Sequence, residues 1–214
     1  IIDISDTRGD KELCIGSKET KSLPIDLVYG GKLKIKPETN ISYGWSEEQL
    51  YWKDVMKGCI ALSCRATSKD DKSVYYFQAE AVYDKEEPLA NVYPHMKLVV
   101  SAPLEIENLL PFDFKYRLYD KHARKDWTGR VEKGVKSYVH VVNLESLLLL
   151  SVEPVNTSFK KSEFAVINHP KKSEFERENT ITLQDVNNRI LKLRIYYPRK
   201  KSDSTSLKVV IYSP

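Results

Sequence analysis

Paired cysteines, long apolar runs, helix signals and catalytic signatures are all scarce in this chain of 214 residues. Each shortage excludes something. The three cysteines, Cys14, Cys59 and Cys64, are odd in number and irregularly spaced, which argues against a disulfide framework and for reduced thiols in a cytosolic setting. No apolar run approaches the 18 or more residues that a membrane-spanning helix needs, and the opening stretch IIDISDTRGD lacks the basic start and apolar middle of a signal peptide. There is no Gly-rich phosphate loop, no Gly-x-Ser-x-Gly elbow and no His-Glu-x-x-His. The four histidines, His95, His122, His140 and His169, are scattered, and Cys59 with Cys64 lacks the second pair that a zinc site requires. We therefore expect no catalysis, no metal and no cofactor. A net charge of +4 and a pI near 8.7 fall well below what a dedicated nucleic-acid binder of this size carries, so no nucleic-acid partner is expected.

What the chain does have is alternation. Leu23, Ile25, Leu27; Phe77, Ala79, Ala81, Tyr83; Leu191, Leu193, Ile195, Tyr197; and Leu207, Val209, Ile211 each repeat with period two, the spacing of a half-buried strand. The best helix signal is Ser46-Glu47-Glu48-Gln49, which reads as a capping box opening a short segment through Met56. Many short strands between polar or Gly/Pro turns predict an all-β chain of sandwich type. The aromatic group Tyr43, Trp45, Tyr51 and Trp52 reads as core.

The strongest alternation, APLEIENLLPFDFKYRLYD at 102–120, places Asn108 in a row with Leu104, Ile106, Leu110, Phe112, Phe114, Tyr116 and Leu118. An unpartnered amide there would cost about 1 to 3 kcal/mol. Pro111 cannot donate to a sheet ladder and steers Leu110 into extended conformation, so the chain must bend or change sheets at this point. A buried carboxamide has two donors and an acceptor, and can bond the backbone groups that such a bend strands. Asn108 is expected to be an internal bracket.

The two halves echo one another. MKLVVSAP at 96–103 resembles LKVVIYSP at 207–214; KSLPIDLVYGGKLKIKP at 21–37 resembles KSYVHVVNLESLLLLSVEP at 136–154; FQAEAVYDK at 77–85 resembles LKLRIYYPR at 191–199. The order is kept while the spacing drifts by a few residues, as changing loop lengths would cause. The predicted organisation is two tandem β-sandwich modules, residues 1–100 the end of one repeat and 101–214 a nearly complete second, with the opening strands of the first copy expected to precede residue 1. Modules in such an array contact chiefly their neighbours and offer an extended docking platform.

The run APLEIENLLPFDFKYRLYD, followed by GRVEKGVKSYVHVV, LLLLSVEP and the closing VVIYSP, resembles the repeated β-modules in the adaptor-binding region of the vacuolar protein sorting-associated protein thirteen (chorein) family. The family's modules each carry one characteristic Asn ahead of a Leu-Pro or similar step, and Asn108 stands at that position. The resemblance is strongest over 96–214 and looser over 1–95. It implies a non-catalytic interaction module of a bridge-like lipid transporter, which binds organelle-specific adaptors presenting a short Pro-x-Pro segment. It also implies peripheral residence on the cytosolic face of endosome, vacuole or mitochondrion contact sites, with Asn108 supporting partner binding through structure. An extended Pro-rich peptide loses little entropy on binding and can lie along a sheet edge or an aromatic-lined groove.

Two other readings rest on surface features. Lys32, Lys34 and Lys36 on one strand face, with Arg199, Lys200 and Lys201 after Pro198, suggest contacts with an anionic membrane surface. The sequons at Asn40 and Asn156 and the tripeptide Arg8-Gly9-Asp10 belong to an extracellular adhesion or carbohydrate-binding module.

Overall fold

A computed structural model describes residues 2–6, 12–23, 31–84, 86, 88, 92, 95–170, 178–197 and 206–213. Arg8-Gly9-Asp10, Ile25, Leu27 and Arg199 to Lys201 lie outside them. The described residues form fifteen strands and one short helix, and the chain divides into two compact units, one from Ile1–Ser101 and one from Ala102–Lys201 with Ser206–Pro214. Each unit has its own apolar core between two sheets, the architecture of a β-sandwich.

In the first unit, β1 (Ile2–Asp6), β2 (Glu12–Ile15) and β3 (Leu33–Pro37) form one sheet in the order β2-β1-β3. The other sheet, β4-β5-β6, comprises β4 (Ile60–Arg65), β5 (Val74–Tyr83) and β6 (Met96–Ser101). Alternation sets which side is dry: Leu33, Ile35 and Pro37 are buried while Lys34 and Lys36 are half-buried. The helix, α1 (Trp52–Lys57), starts six residues beyond the predicted capping serine, and its N-cap, Tyr51, makes no side-chain cap bond. Ser46 has been taken for another purpose, described below. Of the four aromatics expected in the core, only Tyr43 is buried; Trp45, Tyr51 and Trp52 are half-buried.

In the second unit, β7 (Leu104–Asn108), β10 (Lys136–Val139), β13 (Glu178–Gln184), β14 (Ile190–Tyr196) and β15 (Leu207–Tyr212) make a five-stranded sheet in the order β10-β7-β15-β14-β13. The facing sheet, β12-β11-β8-β9, is built from β8 (Phe114–Asp120), β9 (Lys125–Val131), β11 (Leu148–Pro154) and β12 (Ala165–Asn168). β7 and β15 run parallel, Leu207 beside Leu104 and Ile211 beside Asn108; every other pairing among the strands is antiparallel. The chain does change sheets between Asn108 and Phe114, where Pro111 breaks the ladder. Leu104, Ile106, Phe114, Leu118, Leu150, Leu193, Val209 and Ile211 are wholly buried in this core.

Two buried carboxylates hold hairpin turns. Asp120 Oδ1 accepts from the His122 and Ala123 amides at 2.8 and 2.9 Å, next to Arg124 in left-handed conformation. Asp185 Oδ1 accepts from Asn187 and Arg189 at 2.8 and 2.7 Å, around left-handed Asn188.

Candidate functional site

Asn108 ends β7 with no exposed surface. Its Nδ2 donates to the carbonyls of Phe112 at 3.0 Å and Val131 at 3.1 Å, and its Oδ1 accepts from the Leu110 amide at 2.9 Å. Its main chain is engaged as well, donating to Val135 O at 3.0 Å and accepting from Gly134 at 2.9 Å. One side chain thus ties the last residue of β7 to the crossover it precedes and to the last residue of β9 in the opposite sheet. Both donors and the acceptor oxygen are used, so the burial cost is offset by backbone groups that would otherwise lack partners.

A second buried polar device occurs in both units. In the first, Ser46 Oγ accepts from the Ile35 amide at 3.2 Å and donates to Glu48 O at 2.7 Å, while the Ser46 amide donates to Ile35 O at 2.8 Å. In the second, Ser162 Oγ accepts from the Val152 amide at 2.9 Å and donates to Glu163 O at 2.8 Å, while the Ser162 amide donates to Val152 O at 2.8 Å. Ser46 and Ser162 are 0 % and 6 % exposed. Sequence reading missed both, because a serine before a glutamate looks like a helix cap or a turn until the partner strand is known.

Ser162 borders an open groove of about 850 Å³ on the second unit, also lined by Lys115, Arg117, Arg130, Lys161, Glu153 and Phe164. Phe164 is 42 % exposed, with the Arg117 guanidinium 5.5 Å from its ring centre and the Tyr119 ring 6.2 Å away. Arg117 Nε donates to Asp126 at 2.8 and 3.0 Å, and Arg130 pairs with Asp113. These pairs hold the guanidinium groups along the groove. The Arg130 hydrogen bond first, then the Lys133 amide, hold the Asp113 carboxyl below its ordinary value, and Arg117 does the same for Asp126. Tyr116 crosses to Gly129, where a Cβ would lie 2.4 Å from its ring, so only glycine leaves room there. In the first unit the residue before the matching serine is Trp45, whose ring carries Lys36 Nζ at 4.8 Å; in the second that station is Lys161.

The lysines read as a membrane-facing row are not equivalent. Lys32 is exposed and Lys34 half-buried, but Lys36 pairs with Asp3 at 3.3 Å besides covering Trp45. Glu105 and Glu107 on β7 face Lys208 of β15, with Lys208 Nζ 2.8 Å from Glu107 and 3.6 Å from Glu105. Both sequon asparagines, Asn40 and Asn156, are exposed. Among the described residues, Asp3, Cys14 and Glu38 bring three potential metal-ligand atoms within 4.8 Å of one another. Partial desolvation first, and then Asp3, push the Cys14 thiol up. No helix among the described residues is long and apolar enough to cross a membrane.

Residues 1–214 match the family model described as vacuolar-sorting associated protein 13, adaptor binding domain. The chain is also similar to the intermembrane lipid transfer protein VPS13 of Chaetomium thermophilum, 36 % identical over 200 residues that cover 94 % of this chain and 6 % of that protein. It therefore spans about 6 % of the length of this curated relative.

Proposed function

Because the chain belongs to the family of vacuolar-sorting associated protein 13 adaptor binding domains, we propose that it is a non-catalytic interaction piece of a lipid transfer protein, binding or supporting the binding of adaptors that recruit its parent to organelle contact sites. The adaptors present short Pro-x-Pro segments, and the parent associates peripherally with the cytosolic face of endosomal, vacuolar or mitochondrial membranes. The observation that carries the reading is the family match along the whole chain.

Physical features support it. An extended proline-rich segment needs a firm apolar contact flanked by fixed donors. The groove offers an exposed aromatic ring, Phe164, with the Arg117 guanidinium over it, and Arg130 along the same groove, each guanidinium held by its own aspartate. Asn108 acts at one remove, by fixing the crossover into β8 and the end of β9, two strands that line this groove. That the two units are copies of one module is supported by the Ser46 and Ser162 devices, which fall at matching places in the sequence repeat, and by the antiparallel neighbours β5 with β6 and β14 with β15, whose registers differ by two residues from that repeat.

The test is capture of a Pro-x-Pro peptide by this chain and by the longer adaptor-binding region of its parent. Capture by both, lost with Phe164→Ala, places the contact here. Capture by the longer region alone, weakened by Asn108→Ala, gives this chain a supporting role. Failure of both to capture any Pro-x-Pro peptide would overturn the reading.

A further inference from the structure

The two units differ at one edge. In the second, β15 has β14 on one side and β7, parallel, on the other. In the first, the matching strand β6 pairs with β5, and among the described residues no strand lies along its other edge. Aligning MKLVVS with LKVVIY puts Leu98 and Val100 at the stations of Val209 and Ile211. Val209 and Ile211 have no exposed surface, whereas Leu98 and Val100 are only half-buried although they pack on the first unit's core. The difference is what an edge without a described neighbour leaves: apolar side chains covered from one side, and backbone donors and acceptors without a ladder partner among the described residues.

We propose that the free edge of β6 is completed by a parallel strand of the β7 type, supplied in cis by the parent chain from upstream of Ile1. Three features define that strand. It is apolar opposite Met96 and Leu98, as Leu104 and Ile106 lie beside Leu207 and Val209, and ends on an asparagine opposite Val100, as Asn108 lies beside Ile211. Its outward positions are acidic: Lys97 stands where Lys208 stands, and Lys208 is met by Glu107 at 2.8 Å and Glu105 at 3.6 Å, while Lys97 is exposed. Its main chain meets β6 in the β15 pattern, where Leu207 donates to Pro103 O at 2.7 Å and Ile211 O accepts from Leu109 at 2.9 Å. The corresponding groups are those of Met96, Leu98 and Val100. A source within the parent follows from the second unit, where β7, the strand beside β15, immediately precedes β8 in the chain, and from a relative of which this chain covers 6 %. The inference stands on the comparison of the two units and is independent of adaptor binding.

Amide hydrogen exchange tests it, comparing residues 1–214 with the same chain carrying its natural upstream residues. In residues 1–214 the Leu98 and Val100 amides should exchange at least about 100-fold faster than those of Val209 and Ile211. With the upstream residues present they should become comparably slow, and Lys97→Glu in that longer chain should return about 3-fold of the rate while Lys97→Arg does not. Protection of Leu98 and Val100 already present in residues 1–214 would assign the edge to a segment within them and overturn the proposal. Amides that stay fast in the longer chain would equally overturn it, since the strand would then have to come from another molecule.

Discussion

Ser46 and Ser162 hold the same station in the two units, each accepting the amide of a buried strand residue, Ile35 or Val152, and returning its own amide to that residue's carbonyl. A hydroxyl with both lone-pair and proton committed, in a site with 0 % or 6 % exposure, is hard to replace by any apolar residue without leaving the strand amide unbonded.

Ser46→Ala and Ser162→Ala should each lower the stability of the unit that carries them by about 1 to 3 kcal/mol. Trp45 and Trp52 report on the first unit and Trp127 on the second, so urea melts of single-tryptophan variants separate the effects. Equal shifts in both units from either substitution would show that the serines are not local devices.

Asn108→Ala should cost about 1 to 3 kcal/mol, because the Leu110 amide and the Phe112 and Val131 carbonyls lose their partner together. Asn108→Asp is the sharper variant. It keeps an acceptor for Leu110 but turns a carboxylate toward two carbonyl oxygens. At neutral pH it should therefore be less stable than Asn108→Ala, and the gap between the two should shrink as the pH falls and the carboxyl takes a proton. Thermal melts of both variants at pH 7 and pH 4 give the answer.

Gly129→Ala should destabilise the second unit by about 1 to 3 kcal/mol, reversing the usual gain of replacing a strand glycine. The cause is the Tyr116 ring, 2.4 Å from where the new Cβ would sit. Pairing the change with Tyr116→Leu should recover most of the loss in a double-mutant cycle; additive losses would mean that the ring is not the obstacle.

Burial pushes the Cys64 thiol from 9.0 up to about 12, and the Tyr75 and Tyr197 phenols from 10.0 up to about 12. A group whose folded-state pKa lies above its unfolded value stabilises the native state while it stays protonated. That contribution is whole below pH 9 to 10 and disappears as the pH climbs toward 12. Melting temperature should accordingly fall between pH 9 and 12. Asp113 and Asp126, depressed by their arginines, act in the opposite sense and lose their contribution as pH falls, but Asp126 is exposed and Asp113 only half-buried, so solvent screens both pairs and the acid limb should be shallower.

Thiol chemistry offers an independent check on the same burial. At pH 8 a maleimide should label exposed Cys14 rapidly and buried Cys64, whose thiol donates to Ile35 O at 3.3 Å, only after unfolding. Mass spectrometry of partially labelled protein reads the order directly.

Much of this was legible in the residues alone, because strand alternation is a local property. Successive side chains on a strand must point to opposite faces, so Leu104, Ile106, Phe114, Tyr116 and Leu118 announced a buried row before any partner was known. Pro111 announced a break in the ladder for the same reason, since a missing N–H needs no tertiary context, and an amide beside that break could be assigned a bonding task. The capping-box reading of Ser46 failed where the rule depends on a partner: its hydroxyl serves a strand eleven residues away instead of the next helical turn.

What tertiary structure alone decided is pairing across long separations. Nothing local tells β7 to lie parallel to β15, more than 100 residues onward in the chain, or leaves β6, among the described residues, with β5 alone beside it. The groove has the same origin, since Arg117, Arg130 and Phe164 come from different segments and only their convergence makes a surface. Period and punctuation follow from the geometry of a single strand. Which strand meets which depends on the burial of whole faces at once, and that is settled only when the chain has closed on itself.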